Sequence, residues 1–93
     1  MKLNEYEVNS IKEVVSSFDQ EAKIYIFDPK MDDSKNSADI DLLLLSQNLK
    51  HSDAVNIKGQ LTDRIGDQSI DIIITSGTGH PLTRAVLLEG TQL

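Results

Sequence analysis

Cysteine is absent from these 93 residues, which excludes disulfides, thiolate nucleophiles and cysteine-ligated zinc. Tryptophan is absent too, and with aromatics at only 4 % the core must be aliphatic, built from Ile, Leu and Val. Positive charge is scarce: 9 Lys and Arg stand against 15 Asp and Glu, a formal net charge of −6. Such a surface is unsuited to neutralising nucleic-acid phosphates, so no direct nucleic-acid binding is expected. It suits a basic protein partner, or a site that meets phosphate only through metal ions. No apolar run approaches ~18 residues, so no membrane span is expected. The start of the chain lacks an apolar signal-peptide core, which makes the cytoplasm the expected compartment. The sequence shows no repeat, linker or low-complexity tract. The length suits one compact domain over 1–93, and a chain this short buries only about 60–65 % of its unfolded surface, leaving a thin stability margin.

What is present alternates between helix and strand patterns. Val8, Ile11, Val14, Val15 and Phe18 fall at helical spacing, and Asn4 with Glu7 resembles a capping pair in front of them. Lys23 to Phe27 reads as a strand, with Ile24, Tyr25 and Ile26 as β-formers. The stretch 28–38 is polar, contains Pro29 and has no periodicity, so it reads as a loop. Asp39 to Ser46 reads as a second strand. Ser52 is a candidate cap for a helix with an inner stripe of Ala54, Ile57 or Lys58, Leu61 and Ile65, ended by Gly66. Ser69 to Thr75 reads as a third strand. Pro81 suits the first position of a last helix through Leu82, Ala85, Val86 and Glu89, with Gly90 as its stop. The order α-β-β-α-β-α gives an α/β chain of the α+β kind, a small mixed sheet with helices.

Asp39-Ile40-Asp41, running into four leucines, is the most informative stretch. Side chains alternate along a strand, so the two aspartates share a face and Ile40 takes the other. Two converging carboxylates suit a hard divalent cation such as Mg²⁺ (or Mn²⁺), which prefers oxygen ligands and keeps waters that a phosphate can replace. The second and third strands flank a helix, which makes a βαβ unit with parallel strands and a right-handed crossover. Parallel neighbours begin at the same end of a sheet, so Asp71 joins Asp39 and Asp41 there. On residue type alone Asp71 fits a solvent-facing charge on an edge strand equally well. The first two strands have no crossover helix between them, which favours an antiparallel pair and brings the loop after Phe27 to the same acidic end.

Other motifs carry less. Ser76-Gly77-Thr78-Gly79 stands between a strand and a helix, the setting of a phosphate-binding turn, but Leu82 occupies the place of the third fingerprint glycine and no P-loop lysine follows. His80 beside Pro81 reads as exposed loop, and His51 is isolated before a helix. No Gly-x-Ser-x-Gly elbow supports a serine nucleophile.

Two stretches carry a resemblance. Ile24-Tyr25-Ile26-Phe27, a polar loop, then Ser37-Ala38-Asp39-Ile40-Asp41-Leu42-Leu43 is one. Ser69-Ile70-Asp71-Ile72-Ile73, followed by His80-Pro81-Leu82-Thr83-Arg84-Ala85-Val86-Leu87-Leu88-Glu89-Gly90, is the other. Together they resemble the minimal nucleotidyltransferase (MNT) domains of the polymerase-β-type superfamily, over most of the chain. The resemblance implies a nucleotidyltransferase-like fold and Mg²⁺-dependent transfer of a nucleoside monophosphate from ATP or another NTP to an acceptor hydroxyl. Metal ions would bridge Asp39 and Asp41, with Asp71 as third ligand or as the base that receives the hydroxyl proton. Short members of the family are often partnered, as an antitoxin is, with a helical protein of the HEPN type; a second copy of the chain is the other expected partner.

One departure stands out. The family places Gly-Ser directly after the aromatic residue of the first strand, where backbone and hydroxyl hold the terminal phosphates. Here Phe27 is followed by Asp28-Pro29, then Lys30, which stands where members often carry arginine. Proline has no N–H to donate, and aspartate adds a charge that repels phosphate. The alternative function that follows is a catalytically degenerate copy of the fold acting as a protein-binding module.

Overall fold

In the computed structural model, which describes residues 3–27 and 39–93, helix α1 spans Glu5–Phe18. Its start is fixed locally. The Asn4 side chain accepts from the Glu7 N–H at 2.8 Å, and the Glu7 carboxylate accepts from the Asn4 N–H at 3.1 Å. This reciprocal pair satisfies two of the donors that a helix start leaves without partners. Ile11, Val14 and Val15 then form the buried stripe, and Leu3 and Phe18 pack at its two ends.

Strand β1 (Lys23–Ile26) follows, then β2 (Ile40–Leu45), helix α2 (His51–Ile65), β3 (Ile70–Thr75), helix α3 (Pro81–Glu89) and β4 (Thr91–Gln92). The strands form one mixed sheet in the order β3-β2-β1-β4. β2 and β3 run parallel around α2, whereas β1 runs antiparallel to both β2 and β4. The fold is therefore the small α+β arrangement expected from the order of elements, with one strand more. β2 lies inside the sheet and is buried on both faces, which is why it reads as an unbroken apolar run. On one face Ile40, Leu42 and Leu44 pack with Ile24, Ile70 and Ile74 beneath α1 and α2; on the other, Leu43 packs with Tyr25, Phe27 and Val86 beneath α3.

The helix after β2 starts earlier than its sequence suggests. Lys50, not Ser52, occupies the N-cap, and the Asp53 carboxylate accepts from the Lys50 N–H at 2.8 Å. The preceding turn is set by Ser46, whose buried Oγ accepts from the N–H groups of Asn48 and Leu49, each at 3.0 Å. The same hydroxyl donates to the carboxylate of Asp19 at the end of α1. That bond, with the Glu21 N–H and the Asn48 side chain, holds Asp19 below its ordinary carboxylate pKa. One serine thus ties the end of α1 to the β2–α2 turn. Gly66 ends α2 at φ 87°, a backbone region that side chains disfavour.

Strand β4 was not expected, and Gly90 explains how it forms. A Cβ on Gly90 would lie 2.6 Å from the Val86 carbonyl oxygen and 3.0 Å from that of Ile26. Only glycine lets the chain leave α3 this close to β1 and pair Thr91 with Ile26. Gly90→Ala is expected to cost about 1–3 kcal/mol through this overlap, measured as a lowered urea midpoint with an unchanged slope.

Candidate functional site

The parallel register of β2 and β3 sets Asp41 directly beside Asp71. Neighbouring strands lie about 4.8 Å apart, so the two carboxylates rise from adjacent positions on one face. That face is the α3 face, shared with Leu43 and Ile73. Asp41 is only 2 % exposed, and Asp71 is half-buried on the edge strand. Phe27 completes this end of the sheet, its N–H donating to the Asp41 carbonyl oxygen at 3.1 Å. The chain therefore leaves β1 and returns into β2 at the acidic end.

Asp39 stands at the same end with a different engagement. It is exposed, its Oδ2 accepts from the Ser69 N–H at 3.0 Å, and its own N–H faces the Ser69 Oγ at 3.4 Å. The structure thus brings Asp41 and Asp71 together and sets Asp39 against Ser69. Among the described residues no three His, Cys, Asp or Glu side chains form a group able to hold a metal ion. Asp28, Pro29 and Lys30, the expected triphosphate contacts, lie outside the described residues. Ser69 was not anticipated as a partner. Its contribution is mainly a backbone N–H, which residue type does not reveal.

The donor chemistry of the pair fits a hard cation. Two carboxylates on adjacent strands offer oxygen ligands only, and an ion with a preference for oxygen that retains several waters needs no more than one or two of them from protein.

The remaining candidates lie elsewhere. Ser76 to Gly79 follow β3 at the end opposite Asp71, and His80 is the N-cap of α3, its Nδ1 accepting from the Leu82 N–H at 3.1 Å. His80 is exposed and precedes the first residue of the helix, as expected, and there it serves as the cap. His51 is the exposed first residue of α2. A shallow hollow on α2 is lined by Phe18, Val55, Asn56, Gly59, Gln60 and Asp63, the last its one carboxylate. Among the described residues no helix is long and apolar enough to cross a membrane. Comparisons with protein-family models, with curated proteins and with solved structures return no match.

Proposed function

We propose that this chain is a cytoplasmic nucleotidyltransferase-fold domain of the minimal type, in which Asp41 and Asp71 hold Mg²⁺ (or Mn²⁺) for transfer of a nucleoside monophosphate from an NTP to a hydroxyl acceptor. The observation that carries the reading is the register pairing of Asp41 with Asp71 on one sheet face, with Asp41 buried. The antiparallel β1–β2 pair adds support, because it returns the chain to this end of the sheet on both sides of the 28–38 stretch.

Burial supports a division of roles in this reading. Asp41, with almost no solvent contact, is the fixed anchor. Asp71 is half-exposed on the edge strand, which supports assigning it the side facing the acceptor. Where it acts as the base and not as a metal ligand, its carboxylate takes the proton as the hydroxyl oxygen bonds to the α-phosphorus, while the bond from that phosphorus to the departing pyrophosphate breaks. Bound Mg²⁺ would supply the positive charge that neutralises the triphosphate.

Asp28-Pro29 favours a second reading, because it replaces the Gly-Ser that holds the terminal phosphates in the family the chain resembles. In that reading the fold works as a protein-binding module, the antitoxin-like partner of a HEPN-type helical protein or of a second copy. Calorimetric titration with Mg²⁺-ATP, of the protein alone and with any co-purifying protein, separates the two. The transferase reading expects saturable nucleotide binding that Asp41→Asn removes. A flat titration in both samples leaves the binding module.

A further inference from the structure

Asp39 and Ser69 hold equivalent places at the mouths of β2 and β3, each one residue before the register partners Ile40 and Ile70. The Asp39 carboxylate accepts from the Ser69 N–H at 3.0 Å, and beside it the Ile40 N–H donates to the Ser69 carbonyl oxygen, also at 3.0 Å. The side chain therefore extends the ladder of β2 and β3 by one bond, reaching across the strands. Asp41 and Asp71 differ, because side chains within strands stand roughly perpendicular to the sheet. With Asp39 turned to Ser69, the three carboxylates do not form one group among the described residues.

We propose that the Asp39–Ser69 bond is a latch that competes with the cation for Asp39. In the resting state the carboxylate belongs to Ser69; with a divalent cation on Asp41 and Asp71, Asp39 leaves the Ser69 N–H and joins the ion. The inference rests on the reading of Asp41 and Asp71 as a cation site. Two observations favour a latch over a permanent tie. Asp39 is exposed, so its side chain can turn without displacing the core. The Asp39 N–H and the Ser69 Oγ are 3.4 Å apart, at the long limit for a hydrogen bond, so the second half of the clasp holds weakly. A single net hydrogen bond shifts an equilibrium by about fivefold. The latch should therefore lower cation affinity by about that factor, and by reciprocity the cation loosens the latch to the same degree.

The Ser69 amide reports on this directly. Hydrogen exchange measured by NMR, with Mg²⁺ alone as the probe, is followed beside thermal melting of the same sample. Mg²⁺ should raise Tm and yet speed Ser69 exchange by about fivefold or more, while the Ile40 amide, bonded to the Ser69 carbonyl oxygen, stays protected. This local loosening runs against the general slowing that stabilisation produces. In Asp39→Asn, which retains an acceptor for Ser69 but is a poor ligand, Ser69 exchange should no longer respond to Mg²⁺. A rise in Tm with Ser69 exchange unchanged or slowed overturns the latch and leaves the cation site standing. No rise in Tm overturns the cation site, and the latch with it.

Discussion

Leu44→Ala should lower the unfolding free energy by about 3–4 kcal/mol, the largest stability effect of any single truncation proposed for this chain. Leu44 is fully buried in an internal strand and packs in the cluster beneath α1 and α2. Strands on either side and helices above limit how far the site can collapse, so most of the cavity persists and its cost adds to the lost transfer energy. A domain of this size has roughly 5–14 kcal/mol of stability in total, so the change removes a large share of it. Urea unfolding should show the loss as a lower midpoint at similar slope. Leu88→Ala is the internal control. Leu88 is 86 % exposed on α3, and its truncation should stay within about 0.5 kcal/mol. Equal losses in the two variants would contradict the contrast between a buried Leu44 and an exposed Leu88.

The second large effect concerns nucleotide. Replacing Asp28-Pro29 by Gly-Ser should tighten Mg²⁺-ATP binding at least about tenfold. The change restores an N–H donor and a hydroxyl, and it removes a carboxylate from the place where the resemblance puts the triphosphate. A carboxylate about 4 Å from a phosphate charge costs roughly 4 kcal/mol at an effective dielectric near 20 and about 1 kcal/mol in water, which brackets a factor of about ten to a thousand in affinity. In an Asp39→Asn, Asp41→Asn background the same replacement should give little, because the variant lacks Asp41, one of the two carboxylates proposed to hold the cation, and Asp39, proposed to join it. Isothermal titration of the four proteins checks both statements. Tight ATP binding by the wild type with no gain in the Gly-Ser variant would show that Asp28-Pro29 does not disable the clamp.

The reading of the sequence succeeded where local chemistry decides structure. The Asn4–Glu7 pair and the apolar stripe of α1 are both local signals, and both appear as expected. The parallel placement of β2 and β3 followed from the helix between them, and with Asp41 and Asp71 each third in its expected strand, their adjacency was open to inference. Three features escaped, two because they depend on groups distant in sequence and one, the start of α2, because neighbouring side chains set it in place of the expected serine. Thr91 and Gln92 are polar and few, and become a strand only by pairing with β1 after Gly90 permits the approach. The start of α2 is set by Asp53 and by the Ser46 turn, so Ser52 lost its expected role. Asp39 found a backbone donor on another strand, which no side-chain pattern announces.

The central claim is that Asp41 and Asp71 form a divalent-cation site, and thermal melting in Mg²⁺ tests it most directly. At a concentration about ten times the dissociation constant, binding to the folded state alone adds about 1.4 kcal/mol, a Tm rise of roughly 6–11 °C for a domain of this size. Asp41→Asn should lose most of that rise, and matched ionic strength in NaCl should not reproduce it in the wild type. Equal shifts in wild type and variant, or the same shift from sodium, would mean that the ions act only by screening the negative surface, and the site would not be a metal centre.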